Sequence, residues 1–261
     1  MPELPDVEAM RRYFSATALH QPVEAVTVQD DYVLRGTNPG GLGRALAGRR
    51  FEATDRHGKN LLVRMDNDRW LRLHFGMTGN LKYFKADGAP EFTRVLFRFE
   101  NSYRLAYVSQ RKLGMVSLTD GPDALVESED LGPDALRMSW GQFRCIMGNR
   151  RGMLKSTLMN QHIVAGLGNV YADEVLFQAR MNPRQTVDEL SGEELRQLYR
   201  AIQRVLETSI GRGADGRDMP RRWLIHRRGE GRTCPRCGAE IERVKINQRS
   251  TYYCPECQSR R

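Results

Sequence analysis

Apolar residues near the start of the chain recur at helical spacing. Val7, Met10 and Phe14 share one face and Arg11 and Arg12 lie off it, which predicts a helix over residues 5–19. From residue 22 to 118 the period shortens to two. Val23, Val26 and Val28, then Leu61 and Val63, then Leu71, Leu73 and Phe75, alternate with polar neighbours, and 95–99 and 103–108 do the same. Turn-forming stretches separate these runs, among them Asn38-Pro39-Gly40-Gly41, His57-Gly58-Lys59-Asn60 and Glu100-Asn101-Ser102. Short alternating strands in series predict an antiparallel sandwich or barrel. After a hinge over 119–138 the helical period returns and holds over 139–210. Ser191 and Glu194 form a capping box, and Leu195, Leu198, Ile202, Val205 and Leu206 make one apolar face that ends at Gly211 and Gly213. Residues 211–233 read as a basic loop, and the remainder as hairpin material around cysteines.

Composition narrows the classes. Of 261 residues 40% are hydrophobic, too many for a disordered chain, and Gly shows no triplet period. No run approaches the ~18 apolar residues of a membrane-spanning helix. The acidic opening MPELPDVEAM has no apolar core, which predicts no signal peptide and a cytoplasmic protein. The net charge of +9 is uneven: residues 212–261 carry 13 Lys+Arg and 6 Asp+Glu, so the basic excess sits at the C-terminal end and suits a polyanion. Five cysteines are present. Cys234, Cys237, Cys254 and Cys257 form a C-x2-C pair, a 16-residue spacer and a second C-x2-C pair, the spacing of a four-thiolate zinc site. Four thiolates leave no open position for water, so one structural zinc ion is expected. Cys145 is expected to be a buried helix cysteine without a special role.

Pro2 follows the initiator Met, whose removal would expose a secondary amine. An α-amino group titrates near about 8, so part of it is unprotonated at neutral pH and can attack an aldehyde carbon to form an iminium. Glu3 beside it is a candidate proton donor or acceptor. Asn169 suits an N-cap, and the glycines before it suit a turn that approaches a phosphate closely at a helix N-terminus.

Three separated stretches carry a wider resemblance: Met1-Pro-Glu-Leu-Pro-Asp-Val-Glu8, Val164-Ala-Gly-Leu-Gly-Asn-Val-Tyr-Ala-Asp-Glu174, and the cysteine tail through Gln248-Arg-Ser-Thr-Tyr-Tyr-Cys-Pro-Glu-Cys-Gln258. Together they resemble the formamidopyrimidine-DNA glycosylase / endonuclease VIII family. The resemblance implies an α+β multidomain fold: an N-terminal β-sandwich with an N-terminal helix over 1–133, a helix-two-turn-helix domain over 134–232, and a zinc-ribbon hairpin over 233–261. It implies a monomeric base-excision repair enzyme acting on damaged double-stranded DNA, a glycosylase and abasic-site lyase. Pro2 would be the nucleophile, Glu3 the acid, and Lys59 a catalytic lysine near the lesion phosphate. Asn169, Arg249, Lys155 and His74 would bind DNA. Met77, Arg111 and Leu113 would fill the stack left by an extruded base.

Some positions depart from the family pattern. Ser109-Gln-Arg-Lys-Leu-Gly114 stands where members acting on 8-oxoguanine have Asp-Pro-Arg-Arg-Phe-Gly, so Leu113 replaces an aromatic wedge. Residues 211–233 are short for a loop that closes over 8-oxoguanine, which leaves ring-opened purines and oxidised pyrimidines as candidates. Asn160 replaces an aspartate and Asp6 a glutamate. Two rival readings compete: a non-catalytic reader of damaged DNA, and a zinc-ribbon RNA- or ribosome-binding protein.

Overall fold

The computed structural model describes residues 1–85 and 88–259, which form two compact units. The first holds Met1–Pro2 and Asp6–Asp130. The second holds Glu3–Pro5 and Leu131 onward.

The first unit begins with helix α1 (Leu4–Thr17), whose own first residues belong to the second unit. Among the described residues nine strands follow: β1 (Val23–Val28), β2 (Leu34–Arg35), β3 (Phe51–His57), β4 (Asn60–Met65), β5 (Trp70–His74), β6 (Gly79–Phe84), β7 (Thr93–Phe99), β8 (Arg104–Ser109) and β9 (Met115–Thr119). They make a four-stranded sheet, β1-β7-β8-β6, and a five-stranded sheet, β2-β9-β5-β4-β3. All pairings are antiparallel except β2 with β9. Alternation works because each strand turns one face inward. Phe97 and Leu105 from one sheet, and Leu61, Val63, Leu71, Leu73 and Val116 from the other, share a core with Val7 and Phe14 of α1. Phe51 holds the layers together, edge-on to Phe14, Phe97 and Phe99. The sandwich expected from the alternation is therefore present.

Two short helices replace expected turns. Asn38-Pro39-Gly40-Gly41 opens helix α2 (Pro39–Leu46): Asn38 caps it by accepting from Gly41 N at 2.8 Å, and Pro39 occupies the first turn. The expected hinge contains α3 (Pro122–Ser128).

The second unit holds α4 (Trp140–Met147), α5 (Leu154–Met159), α6 (Asn169–Gln178), α7 (Gly192–Gly211) and the hairpin β10 (Glu242–Ile246) and β11 (Arg249–Tyr253). The capping box at Ser191 is formed in both directions, and the predicted apolar face of α7 is buried. Cys145 is exposed on α4, contrary to expectation, because Phe143 and Met147 take the buried positions of that short helix. The stretch read as a loop is packed: Met219 and Trp223 join the helical core, and Leu224 joins a small core with Phe177, Ile241 and Cys254. Asn160 ends α5, and its Oδ1 accepts from His162 N at 3.0 Å, a role an aspartate fills equally well. Among the described residues no helix is long and apolar enough to cross a membrane.

Candidate active site and nucleic-acid interface

In the first unit, one end of the five-stranded sheet gathers five of the expected residues. Asn60 of β4 and Met115 of β9 both pair with His74 of β5. The β3–β4 turn, which carries Lys59, and the loops after β5 and before β9 therefore emerge together. Gly76 takes φ +56, and a Cβ there would run into the backbone of Leu113 and Gly114. Gly114 is equally constrained, since a Cβ would lie 2.5 Å from the His74 carbonyl oxygen. Only glycines let the two loops meet this closely. Arg111 N donates to Thr78 Oγ1 at 3.1 Å and completes the junction. Met77, Arg111 and Leu113 are all exposed on it, and Leu113 at 50% exposure is an apolar side chain held out in solvent.

His74 is largely covered and its imidazole is held down to about 4, by burial first and then by the Arg72 and Lys59 charges. Its Nδ1 accepts from Gly76 N at 3.2 Å, which places the proton on Nε2. The ring is thus neutral near pH 7, with its Nε2–H free of the Gly76 bond that shapes the Met77 loop. Because the folded value lies below the ordinary 6.5, protonation favours the unfolded chain. The contribution to stability is complete above pH 6.5 and is lost as pH falls towards about 4. The acid limb of a stability–pH profile should therefore flatten in His74→Gln; an unchanged limb would show that His74 is not the titrating group.

In the second unit the residues gather at the N-terminus of α6. The Glu3 carboxylate is 1% exposed and accepts three backbone N–H groups: Gly168 at 2.7 Å, Val170 at 2.9 Å and Tyr171 at 3.2 Å. Leu4 N donates to the Gly166 carbonyl at 3.1 Å. These contacts explain the Gly-Leu-Gly motif. A Cβ on Gly166, at φ +117, would lie 2.5 Å from Leu4 Cδ1, and one on Gly168 would lie 2.6 Å from Glu3 Oε1. Two expectations are corrected here. The glycines admit residues 3 and 4 of the chain itself, so the donors expected to meet a phosphate are already taken by Glu3. Asn169 is also not the cap: Gly168 holds that position without a side-chain bond, and Glu3 does the capping from outside. The Asn169 amide instead donates to the Ser250 carbonyl at 3.0 Å, joining α6 to β11, while its Oδ1 is enclosed without a donor.

Lys155, expected among the DNA-binding residues, lies inside the second unit. Its side chain is 0% exposed, and Nζ is hydrogen-bonded to Asp173 Oδ1, so the ammonium faces a carboxylate and not solvent. Arg228 reaches the other oxygen of Asp173 at 2.8 Å and lies over the Tyr252 ring. Burial pushes the Lys155 ammonium down and the Asp173 carboxyl up, each against the pull of its partners. Glu174 beside them is lifted to about 7, chiefly by burial, although Gln178 and Ile225 N donate to it. Arg228, from a stretch read as loop, had no local signal. By contrast, Arg249 is exposed at the start of β11, across a two-residue turn from Ile246.

The four cysteine sulfurs lie within 4.8 Å of one another, with Cys234 and Cys257 at 3.8 Å and Cys237 and Cys254 at 3.5 Å. Sulfurs about 2.3 Å from a tetrahedral zinc stand about 3.8 Å apart, so the set fits the ion. Zinc bound there fixes the base of β10–β11, which two short strands would not hold alone. Cys237→Ser should release the hairpin and weaken DNA binding while the sandwich still unfolds at its normal temperature. Zinc content, thermal unfolding and a DNA titration check this; unchanged affinity in zinc-free protein would contradict it.

Comparison with known proteins agrees with this arrangement. Residues 1–116 match the formamidopyrimidine-DNA glycosylase N-terminal domain, 131–220 its H2TH domain, and 231–260 a zinc finger found in FPG and IleRS. The formamidopyrimidine-DNA glycosylase of Pelotomaculum thermopropionicum is 34% identical, with 99% of each chain covered. That of Heliobacterium modesticaldum is 36% identical, over 99% of this chain and all of the other. A crystal structure of the Lactococcus lactis enzyme with DNA containing FAPY-dG superposes with a TM-score of 0.90 at 27% identity, over 99% of this chain and all of that one. Full-length similarity of this degree, on a chain that caps α6 with Glu3 and clusters four cysteines at zinc distances, shows that the protein belongs to the formamidopyrimidine-DNA glycosylase family.

Proposed function

We propose that this protein is a base-excision repair DNA glycosylase with abasic-site lyase activity, working as a monomer on damaged duplex DNA. The observation that carries the reading is Glu3: a carboxylate next to Pro2 in sequence, buried and oriented by three N–H donors. A protein that only read damage would need Glu3 as the cap of α6 but would have no use for a Pro2 amine beside it.

The unprotonated Pro2 amine attacks C1′ of the damaged nucleotide, and the C1′–base bond breaks with protonation of the departing base. Glu3, placed as an acceptor, first collects a proton and then delivers it to the sugar ring oxygen as the ring opens to an iminium. The iminium acidifies the C2′ proton. Its removal expels the 3′ phosphate, and a second elimination expels the 5′ phosphate. Lys59 and Arg249 would hold phosphates, neutral His74 would add a hydrogen bond, and Met77, Arg111 and Leu113 would fill the vacated stack. Residues 1–133 would supply the wedge, 134–232 the DNA-binding helices, and 233–261 the zinc hairpin; in a prokaryotic cell such a protein would work at the nucleoid.

Solved relatives carry FAPY-dG or carbocyclic 8-oxo-G in their DNA. For this chain ring-opened purines and oxidised pyrimidines are both candidate substrates, since residues 211–233, where Met219, Trp223 and Leu224 are packed into the cores, are short for a loop closing over 8-oxoguanine. Borohydride should trap a covalent adduct with abasic-site DNA and lose it when Pro2 is blocked or replaced. Absence of an adduct on every lesion of a defined panel would leave the non-catalytic reading.

A further inference from the structure

Arg249 is an exposed cation next to the tip of the zinc hairpin, whose Arg243 and Lys245 are exposed too. It stands one residue beyond a two-residue turn, Asn247-Gln248, with φ of +46 and +61, the left-handed pair that a tight hairpin requires. The base of the hairpin is fixed by the cysteine cluster and by Tyr252 N on Asp173 at 3.3 Å. The middle is fixed by Asn169 on the Ser250 carbonyl. At the tip, Asn247 Nδ2 donates to Ser156 Oγ of α5 at 2.8 Å. Around that bond the hairpin and α5 border a half-open cavity of about 280 Å³ whose wall also includes Lys155, Met159, Asn160, Ile246 and Arg249. The tip thus meets α5 across open space, and a polar strap crosses it.

We infer that Ser156 and Asn247 are positioning residues that hold Arg249 ready for a DNA phosphate. The inference rests on Arg249 being a phosphate ligand, as in the function proposed above. A side chain at the end of a free hairpin must be ordered at the moment of binding, and that cost reduces affinity. The strap removes it beforehand. Ser156 never touches DNA in this scheme and acts through the tip. Asn serves at 247 twice over, since it tolerates positive φ and supplies the donor.

The probe is a duplex carrying a stable abasic-site analogue, titrated with the full zinc-loaded protein over a range of salt. Ser156→Ala should weaken binding about threefold to tenfold, the size of one ordinary net hydrogen bond, while Ser156→Thr, which keeps the hydroxyl, should restore it. Asn247→Gly, which keeps the turn, should match Ser156→Ala. Arg249→Ala should lower the log–log salt slope by about one, and adding Ser156→Ala to it should cost nothing more. A full additional loss in the Arg249→Ala background, or wild-type binding by Ser156→Ala when Arg249→Ala is impaired, would overturn the inference. Wild-type binding by Arg249→Ala alone would instead remove the phosphate role of Arg249, and the strap's role with it.

Discussion

Glu3→Gln is expected to slow base excision by about 10²- to 10⁴-fold, the usual range for loss of a positioned acid–base group, and to loosen the start of α6. The structural part follows from counting acceptors. The carboxylate serves Gly168, Val170 and Tyr171 with two oxygens, in the positive potential of a helix N-terminus. Glutamine offers one oxygen and turns an NH2 group towards backbone N–H donors, which strands at least one of them. Hydrogen bonds to a charged group contribute about 1.5–3 kcal/mol each, so the second unit should lose roughly 2–4 kcal/mol. Glu3→Asp is shorter by one methylene and should show the same structural loss. Single-turnover excision together with thermal unfolding separates the two contributions. A glutamine variant as stable and as fast as the parent would remove Glu3 from both roles.

Lys155→Ala should destabilise the second unit by about 3–5 kcal/mol, because it leaves Asp173 buried with one cation in place of two. It should not change the salt slope of DNA binding among molecules that remain folded, since the ammonium is buried against Asp173. Denaturant midpoints and salt titrations report the two quantities independently. A slope lower by one charge with stability intact would return Lys155 to the DNA surface. Lys155→Met, which preserves packing volume, should fall between Ala and the parent in stability.

The opposite fates of Lys155 and Arg249 mark how far the primary structure can be read. Both are cations in stretches that resemble family binding motifs, and nothing near either in the chain distinguishes them. Burial does, and burial depends on what arrives from elsewhere: Asp173 and Arg228 around one, solvent around the other. Cys145 shows the same dependence on a shorter scale, where helix phase against the core left it exposed. The α2 helix was open to local reading, since Asn38 as cap followed by Pro39 is a helix start, but the same residues also signal a turn.

Features that repeat or pair over short distances are legible along the chain: alternating strands, the α7 stripe with its capping box, and four cysteines whose spacing permits one tetrahedral ion. These depend on backbone periodicity and local bonding, which neighbouring residues specify. Folding alone brings Glu3, 165 residues before Gly168, to cap α6, fits residues 3 and 4 against the glycines ahead of Asn169, and gathers Lys59, His74, Met77, Arg111 and Leu113 at one sheet end. A bond between residues so far apart leaves no pattern in the chain, because its partners are chosen by packing.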